Sequence, residues 1–440
     1  MAEAKLKKSI GFGAALSTVA GTVIGTGVFF KASAVTESTG TVSLSMLAWL
    51  IGGLITICAG LTAAELAAMY PETGGLTKYI EYSYGPFWGF LAGWAQAVVY
   101  FPANIAAISI AFGTQFVNLF GLKAIYIIPA AIICVITIMT INFISVKVAG
   151  KVTTIALICK LIPLVAIVVL GFFHSGSEAF SLFPVTAGSG SPFFTALGQA
   201  LLATMFAYDG WIHVGNMAGE MKNPKRDLPL AIAIGIAIVM VVYLLVNGVF
   251  YWIKPISEIS GNLNIASDVS NVIFGEIGGK IITIGILISV YGGLNGYIMT
   301  GMRVPYVMGL KNKLPFGKYL SKLNKSGVPY ISGIVQFVIA FFMILSGKFD
   351  AITNMLIFVI WLFYTMAFWA VIKLRRQQPD LQRSYKVPLY PLIPIIAIIG
   401  GLFILISTVI TQFGITMIGL LITILGIPFY VYLNKKYDLN

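Results

Sequence analysis

The sequence contains few charged residues, cysteines and histidines, and each shortage excludes a class of protein. Only 10% of the 440 residues are charged and 58% are hydrophobic, and the mean hydropathy is +0.94. Since soluble globular domains carry about 25% charged residues, this composition excludes a soluble protein. The three cysteines, Cys58, Cys134 and Cys159, lie in apolar stretches and predict no disulfide framework. The two histidines, His174 and His213, are too far apart in sequence to indicate a metal site.

The sequence also lacks the residue groupings that carry out catalysis. We find no Ser/His/Asp grouping, glycine-rich phosphate loop or paired carboxylates that would indicate a reaction. We therefore predict that the protein is not an enzyme and binds no cofactor or metal. A channel would need a continuous polar lining, and the few polar residues inside the apolar runs argue against one. These exclusions favour a transporter.

What the chain does contain is a series of long apolar runs. Runs of roughly 20 residues span the hydrocarbon core of a bilayer, so we predict an all-α polytopic membrane protein with about twelve spans. The first run is too long for a signal peptide and no small-residue cleavage site follows it, so we retain it as a span. The predicted spans are 10–34, 43–70, 87–118, 125–145, 152–173, 193–218, 228–254, 271–302, 329–347, 351–374, 388–411 and 414–434.

The basic residues are distributed unevenly between the predicted loops. With the N-terminus in the cytoplasm, most of the 28 lysines and arginines fall in cytoplasmic segments. This asymmetry follows the positive-inside rule, so we predict a cell-membrane protein whose two termini are both cytoplasmic. The net charge of +13 then reflects topology and contact with anionic lipid, not nucleic-acid binding. The basic residues assigned to outer loops are Lys31, Lys123, Lys254, Lys280 and Lys348.

Two charged residues lie near the middle of predicted spans. Lys160 is flanked by apolar residues in TTIALICKLIPLVAIVV, and Asp209 lies in LLATMFAYDGWIHVGN. A charge at the bilayer centre costs about 2.5 to 3.5 kcal/mol on insertion scales and usually faces a protein interior or a water-filled cavity. Lys160 and Asp209 are therefore candidate functional residues.

Two glycine-containing motifs interrupt predicted spans. GTVIGTGVFF, which starts at Gly21, breaks the first span, and FAYDGW, which starts at Phe206, breaks the sixth. Interrupted spans at corresponding places in two halves are typical of inverted-repeat transporters, whose substrate site lies at the breaks. The predicted units are a first five-helix repeat over 10–173, an inverted second repeat over 193–374 and two additional helices over 388–434.

A break in a membrane helix frees backbone groups that suit a zwitterion. The N–H groups that open the following half-helix carry a partial positive charge, and the carbonyls that end the preceding one carry a negative charge. An α-carboxylate would bind the amides of Thr26 and Gly27, and Gly25 would let the substrate approach the backbone. Alternatively, Gly21, Gly25 and Gly27 are small residues of a helix-packing interface, and the pattern alone favours neither interpretation. The predicted acceptors for the α-ammonium group are the carbonyls of Val23, Ile24, Phe206, Ala207 and Asp209.

These motifs resemble those of the amino acid–polyamine–organocation (APC) superfamily. VIGTGVF is similar to the first-helix motif of the superfamily, and FAYDGW is similar to the sixth-helix motif of its L-type amino acid transporter branch. The stretches AELAAMYPETGGLTKYIEYSYGPFWGF and GEMKNPKRDLP also match, so the likeness covers nearly the whole chain. It is strongest to bacterial members that exchange small neutral amino acids such as serine, threonine and alanine.

The resemblance implies a LeuT-like fold that works by alternating access. It implies that Phe206 closes over the substrate from outside. It also implies that the ammonium group of Lys160 replaces a sodium ion between the first and eighth helices. The expected partners of Lys160 are a carbonyl near Gly21 or Thr22 and the hydroxyl groups of Ser289 and Tyr243.

The implied function is sodium-independent exchange of small neutral L-amino acids, namely alanine, serine, threonine, cysteine and glycine. Two alternatives stay open: a proton-coupled symporter, if Lys160 carries a proton, and a cationic amino acid or amine exchanger, if Asp209 faces the substrate. Asp209 is equally suited to bonding the backbone freed by the break. Animal relatives attach a heavy subunit through a cysteine in the loop between the third and fourth spans. The corresponding loop here, NLFGLKAIY, has no cysteine, so we expect no disulfide-linked heavy subunit.

Overall fold

The computed structural model describes residues 11–70, 75–176, 180–188, 190–212 and 221–437, and its regular elements are all helices. A short π-helical turn spans Gln96–Tyr100, and a 3₁₀ turn spans Ala124–Tyr126. The helices are α1 (Phe12–Val23), α2 (Gly27–Thr39), α3 (Val42–Met69), α4 (Gly75–Tyr84), α5 (Pro86–Ala95), α6 (Phe101–Leu119), α7 (Ile127–Ile144), α8 (Val146–Gly171), α9 (Phe193–Ala207), α10 (Pro224–Ile253), α11 (Ile256–Ile259), α12 (Ile265–Gly301), α13 (Arg303–Leu310), α14 (Gly317–Leu320), α15 (Tyr330–Leu345), α16 (Phe349–Gln377), α17 (Leu392–Thr411), α18 (Phe413–Ile424) and α19 (Gly426–Tyr437).

The lengths and compositions of these helices match a polytopic membrane protein. Within the described residues, eight segments are long and apolar enough to cross a bilayer, or nine if α1 and α2 together form one bent span. Three shorter apolar helices, Cys159–Gly171, Phe193–Ala207 and Tyr330–Leu345, lie inside three further predicted spans. The count of twelve spans and the inverted repeat stay predictions. The eight segments are Val42–Met69, Pro86–Leu119, Ala124–Ile144, Lys225–Ile253, Ile265–Leu310, Phe349–Gln377, Leu392–Thr411 and Phe413–Tyr437.

The first predicted span is broken where its glycines lie. α1 ends at Val23, α2 begins at Gly27, and the two helices are bent by 47° relative to each other. α9 likewise ends at Ala207 within the FAYDGW motif. Residues 213–218, the remainder of the predicted sixth span, lie outside the described residues.

The broken helices lie inside the bundle. α2 packs against α9, and α1 packs against α10, while α12 contacts both α6 and α8. Every residue from Gly27 to Ser33 in α2 is buried. By contrast, α17 and α18 expose apolar side chains such as Ile410 and Leu421, as expected for helices that face lipid. The two breaks are therefore held at the centre of the protein.

The assignment of Lys31 to an outer loop is wrong. The residue lies in the second turn of α2, and its side chain is fully buried. Its ammonium group lies 2.6 Å from a carboxylate oxygen of Asp350 in α16. This partner explains the burial, because a charge is tolerated in a protein interior when it is paired and hydrogen-bonded.

Candidate functional site

The two helix breaks touch each other, and glycine makes the contact possible. A Cβ atom on Gly27, at the start of α2, would overlap the backbone of Ala207, at the end of α9. Gly210 has a φ of +106°, and a Cβ there would lie 3.1 Å from the carbonyl oxygen of Thr22. The contact therefore brings the positive end of α2 and the freed carbonyls of both breaks to one place.

A cavity of about 330 Å³ lies at this contact. Part of its lining comes from α12, including Ser289 and the glycines Gly293 and Gly296. Further lining residues, Ser17, Thr18 and Thr300, extend the cavity from the breaks towards one end of α1 and α12. The predicted site residues that line it are Gly21, Thr22, Val23, Ile24, Gly25, Thr26, Gly27, Lys160, Phe206, Ala207, Asp209 and Ser289. The cavity thus contains almost the whole predicted set.

The start of α2 has the features of an anion site. The first N–H groups of a helix have no intrahelical acceptor and lie at the positive end of its dipole. Thr26, the residue before the first turn, lines the cavity, and its side chain makes no capping hydrogen bond. A Cβ on Gly25 would meet only the carbonyl oxygen of Val23, at 3.8 Å, which disfavours a packing role for Gly25. The amides and the Thr26 hydroxyl are placed to bind an anion.

Tyr243 connects the two breaks to each other. Its hydroxyl group contacts the carbonyl oxygens of Val23, at 2.8 Å, and Ala207, at 3.0 Å. The expectation that Tyr243 contacts Lys160 is wrong, because the Lys160 ammonium group donates to the Gly21 and Ile24 carbonyls while the Tyr243 hydroxyl group donates to those of Val23 and Ala207. Val23 and Ala207 each keep a second lone pair, so a substrate ammonium group would have to share these acceptors with Tyr243.

Lys160 holds the end of α1. Its Nζ atom donates hydrogen bonds to the carbonyl oxygens of Gly21 and, at 2.5 Å, Ile24. Gly21 is one of the two positions at which a carbonyl partner is expected, whereas the expected bond to Ser289 is not formed, and the buried Ser289 hydroxyl has no hydrogen-bond partner among the described residues. The last carbonyls of a helix form its negative end, which explains why the ammonium group lies there and not against the hydroxyl group on α12.

Two tyrosines donate hydrogen bonds to the side chain of Asp209, so the freed backbone is not its only partner. Its side chain is 4% exposed, and its carboxylate accepts hydrogen bonds from Tyr100 at 2.5 Å and Tyr364 at 3.2 Å. No lysine or arginine of the described residues forms an ion pair with it. Tyr100 lies in the π-helical turn and Tyr364 in α16, so Asp209 ties the sixth-span break to two other helices. Nothing in the local sequence singles out either tyrosine.

Phe206 covers the cavity on the side of α2 and α16. Its ring meets the ring of Phe349 edge-on, with centroids 5.8 Å apart and an interplanar angle of 87°. The Nζ atom of Lys31 lies 5.3 Å from the centroid of Phe206. Phe206 therefore belongs both to the cavity wall and to a buried cluster on the other side of that wall.

The sequence is similar to known amino acid transporters over nearly its full length. A sequence model of the family described as amino acid permease matches residues 10–428. The serine/threonine exchanger SteT of Bacillus subtilis (strain 168) is 41% identical over 433 residues, 98% of each chain. The cystine/glutamate transporter of Homo sapiens is 30% identical over 441 residues, 99% of this chain and 86% of its own. The b(0,+)-type amino acid transporter 1 of Mus musculus is 28% identical over 416 residues, 92% of this chain and 84% of its own.

These similarities agree with the architecture. Apolar helices cross the membrane several times, and two helix breaks line a cavity at the start of α2. The relatives are transporters, and no relative named above is an enzyme. The chain is therefore a multi-pass cell-membrane transporter, and it belongs to the amino acid permease family of the APC superfamily.

Proposed function

We propose that the protein is a sodium-independent exchanger of small neutral L-amino acids, namely alanine, serine, threonine, cysteine and glycine. The observation that carries this proposal is the contact of the Lys160 ammonium group with the Gly21 and Ile24 carbonyls. A covalently attached cation occupies the position at the end of α1 where a bound metal cation would neutralise the same carbonyls. Such a site has no need of sodium.

The chemistry of the cavity supports an amino acid substrate. The α-carboxylate would bind the first amides of α2 and the Thr26 hydroxyl, and the α-ammonium group would bind the remaining lone pairs of the freed carbonyls. A volume of about 330 Å³ is at the lower end of the range for ligand sites, about 300 to 1,000 Å³, which favours a small side chain. SteT is named as a serine/threonine exchanger, which supports the same substrates.

We infer exchange because closing the empty cavity would bury polar groups that have no hydrogen-bond partner. Alternating access requires the cavity to close before it opens on the other face. Closing it without substrate would leave the amides of Thr26 and Gly27 without an acceptor, and an unpaired buried polar group is costly. Because the substrate carboxylate supplies that acceptor, the loaded protein reorients and the empty one does not.

A cationic amino acid or amine is the second candidate substrate, and Asp209 is the observation that favours it. The carboxylate lines the cavity and has no basic partner among the described residues. However, Tyr100 and Tyr364 already donate to its two oxygens, which reduces its attraction for a substrate cation. We therefore place the cationic carrier second and a proton-coupled symporter third.

The membrane arrangement belongs to the same proposal. We infer that both termini are cytoplasmic and that the protein functions without a disulfide-linked heavy subunit, since the loop after α6 contains no cysteine. We also infer that residues 10–173 and 193–374 form two inverted repeats, because their first spans are both interrupted by glycine-containing motifs.

The experiment that tests the proposal is uptake into proteoliposomes. Purified protein is reconstituted, and uptake of labelled L-serine is measured without sodium and at equal pH on both faces. Liposomes with and without unlabelled L-serine inside are compared, and L-arginine is the competing external substrate. Serine uptake that needs internal serine supports the proposal. Equal uptake in empty liposomes would contradict exchange. Stronger uptake of arginine than of serine would indicate that Asp209 contacts the substrate.

A further inference from the structure

Three lysines surround one carboxylate at a position outside the cavity. Glu81 of α4 forms ion pairs with Lys78, at 3.1 Å, and with Lys313, at 2.9 Å, one at each of its carboxylate oxygens. Lys311, in the turn after α13, lies beside Lys78, and burial together with the charge of Lys78 lowers the pKa of Lys311. Lys311 forms no ion pair with any of the described residues. Three lysines against one carboxylate leave the cluster with a surplus of two positive charges.

The turn after α13 holds two of these lysines against α4. α13 ends at Leu310, and Asn312 has a φ of +52°, a left-handed conformation that asparagine adopts more readily than most residues. The amide of Asn312 donates to the carbonyl oxygen of Gly309 at 3.1 Å, and the amide two bonds further along the turn, that of Lys313, donates to Met308 at 2.8 Å. These hydrogen bonds reverse the chain, so the lysines on either side of Asn312 both reach α4.

The cluster lies at the ends of apolar segments, where lipid headgroups are expected. α4 connects two segments that are long enough to cross a bilayer, and Lys311 directly follows a third, Ile265–Leu310. The Nζ atom of Lys78 lies 5.2 Å from the ring centroid of Tyr82, which is 42% exposed. Tyrosine is enriched at the level of the headgroups, and lysines at that level attract anionic lipid. The position and the surplus charge therefore suit the same kind of ligand.

We propose that Lys78 and Lys311 bind the phosphate group of an anionic phospholipid headgroup. A phosphate oxygen between the two ammonium groups would accept a hydrogen bond from each, so that two charge-assisted bonds replace their mutual repulsion. Glu81 keeps its bonds to Lys78 and Lys313, so the ligand adds to the ion pairs and does not displace them. The inference goes beyond the proposed function, because none of these residues lines the cavity.

The surplus charge gives Lys311 opposite effects in the free and the bound protein. Without a ligand, Lys78 repels Lys311, so Lys311→Gln should stabilise the free protein. With the ligand bound, Lys311 donates to the phosphate group, so the same substitution should weaken ligand binding. A lysine with a merely structural role, paired with an acidic residue, would instead destabilise the free protein when it is replaced.

Thermal unfolding of the purified protein in a neutral detergent measures both effects. Short-chain phosphatidylglycerol is titrated at a small mole fraction, so the micelle has little surface potential and general attraction to an anionic membrane does not contribute. Sodium phosphate is titrated separately, with sodium chloride at equal ionic strength as its control, to detect binding of a soluble phosphate. The matched control variant is Lys325→Gln, which removes an exposed lysine from the same loop.

We expect phosphatidylglycerol to raise the melting temperature of the natural protein. The concentration that gives half of this effect should increase by at least about tenfold in Lys311→Gln, which loses one hydrogen bond to a charged group. Without lipid, Lys311→Gln should melt at a higher temperature than the natural protein, and Lys325→Gln should match the natural protein in both measurements. Lys311→Glu places a carboxylate beside Lys78, so it should stabilise the free protein and abolish the response to lipid.

Two results would overturn the site. One is an equal half-effect concentration in Lys311→Gln and Lys325→Gln, and the other is a lower melting temperature of Lys311→Gln without ligand, which would show that an acidic residue pairs with Lys311. A response to sodium phosphate that depends on Lys311 and is as strong as the response to lipid would support the phosphate site and assign it to a soluble ligand. Since no amino acid is present, a failure of serine exchange in liposomes would contradict the proposed function and leave this result unchanged.

Discussion

Tyr243→Phe removes the single side-chain group that bonds both helix breaks. The ring keeps its contacts with Trp49, at a centroid distance of 5.6 Å, and Tyr208, at 5.1 Å, so packing is preserved. The carbonyls of Val23 and Ala207 share the single hydroxyl proton of Tyr243, and without it the two breaks are no longer bonded to each other, a loss of about 1 to 3 kcal/mol. Taking the middle value, about 2 kcal/mol, as the cost of holding the two breaks together in the binding geometry gives roughly a 30-fold weaker affinity for serine, although the carbonyls become free for the substrate ammonium group.

Equilibrium binding of labelled L-serine to the purified protein measures this effect, with thermal unfolding recorded in parallel. The matched control is Tyr251→Phe on the same helix, which removes a buried hydroxyl group that is hydrogen-bonded to Thr36 at 2.8 Å and does not line the cavity. We expect the control to lower stability and leave serine affinity unchanged. An unchanged serine affinity in a folded Tyr243→Phe protein would refute the reasoning, because the link between the two breaks would then have no bearing on binding.

Three further substitutions test other parts of the site. Asp209→Asn should preserve the preference for serine over arginine in uptake competition, because Tyr100 and Tyr364 already donate hydrogen bonds to the carboxylate. A loss of arginine uptake with unchanged serine uptake would show that Asp209 binds substrate. Gly27→Ala should raise the KM for serine by about tenfold or more, since overpacking against Ala207 costs about 1 to 3 kcal/mol. The control Gly13→Ala, whose Cβ meets no atom within 4 Å, should leave the KM unchanged. Equal effects of the two substitutions would exclude the contact with Ala207 as the cause. In α4, partial burial opposes ionisation of Glu81, but the hydrogen bonds and charges of Lys313 and Lys78 outweigh it and lower the pKa of that carboxyl group. The ion pairs therefore stabilise the fold above the unfolded pKa of 4.5, and this stabilisation is lost as the pH falls through the folded pKa. Glu81→Gln should lower the melting temperature near neutral pH and flatten the decline of the melting temperature in acid. An unchanged dependence of the melting temperature on acid pH would contradict this.

The sequence predicts those features of the fold that depend on neighbouring residues. Long apolar runs identify membrane helices because the bilayer requires them. The glycines of GTVIGTGVFF identify the first break because they permit the close approach of Gly27 to Ala207. Lys160 stands out because it is charged within an apolar run, and the structure places it against the end of α1.

The partners of these groups could not be predicted in the same way. Lys31 and Asp350 are separated by 319 positions in the chain, so no local pattern revealed the partner, and the count of basic residues assigned Lys31 to an outer loop although the first predicted span, 10–34, includes it. The hydroxyl group of Tyr243 lies 220 positions from Val23 and occupies carbonyls that the sequence left free for substrate. A pattern along the chain reports the environment of a residue, whereas a hydrogen-bond partner depends on how the helices pack.

We infer that the Lys160 ammonium group takes the place of a bound cation at the first break. The most direct measurement is serine exchange in proteoliposomes by the natural protein, by Lys160→Ala and by the control Lys123→Ala, whose lysine is exposed outside the helices. Each is measured with and without sodium. We expect sodium-independent exchange by the natural protein and the control, and at least about a tenfold loss in Lys160→Ala, because the carbonyls of Gly21 and Ile24 lose charge-assisted bonds worth about 1.5 to 3 kcal/mol each. Exchange that requires sodium, or that proceeds at the natural rate without Lys160, would contradict the claim.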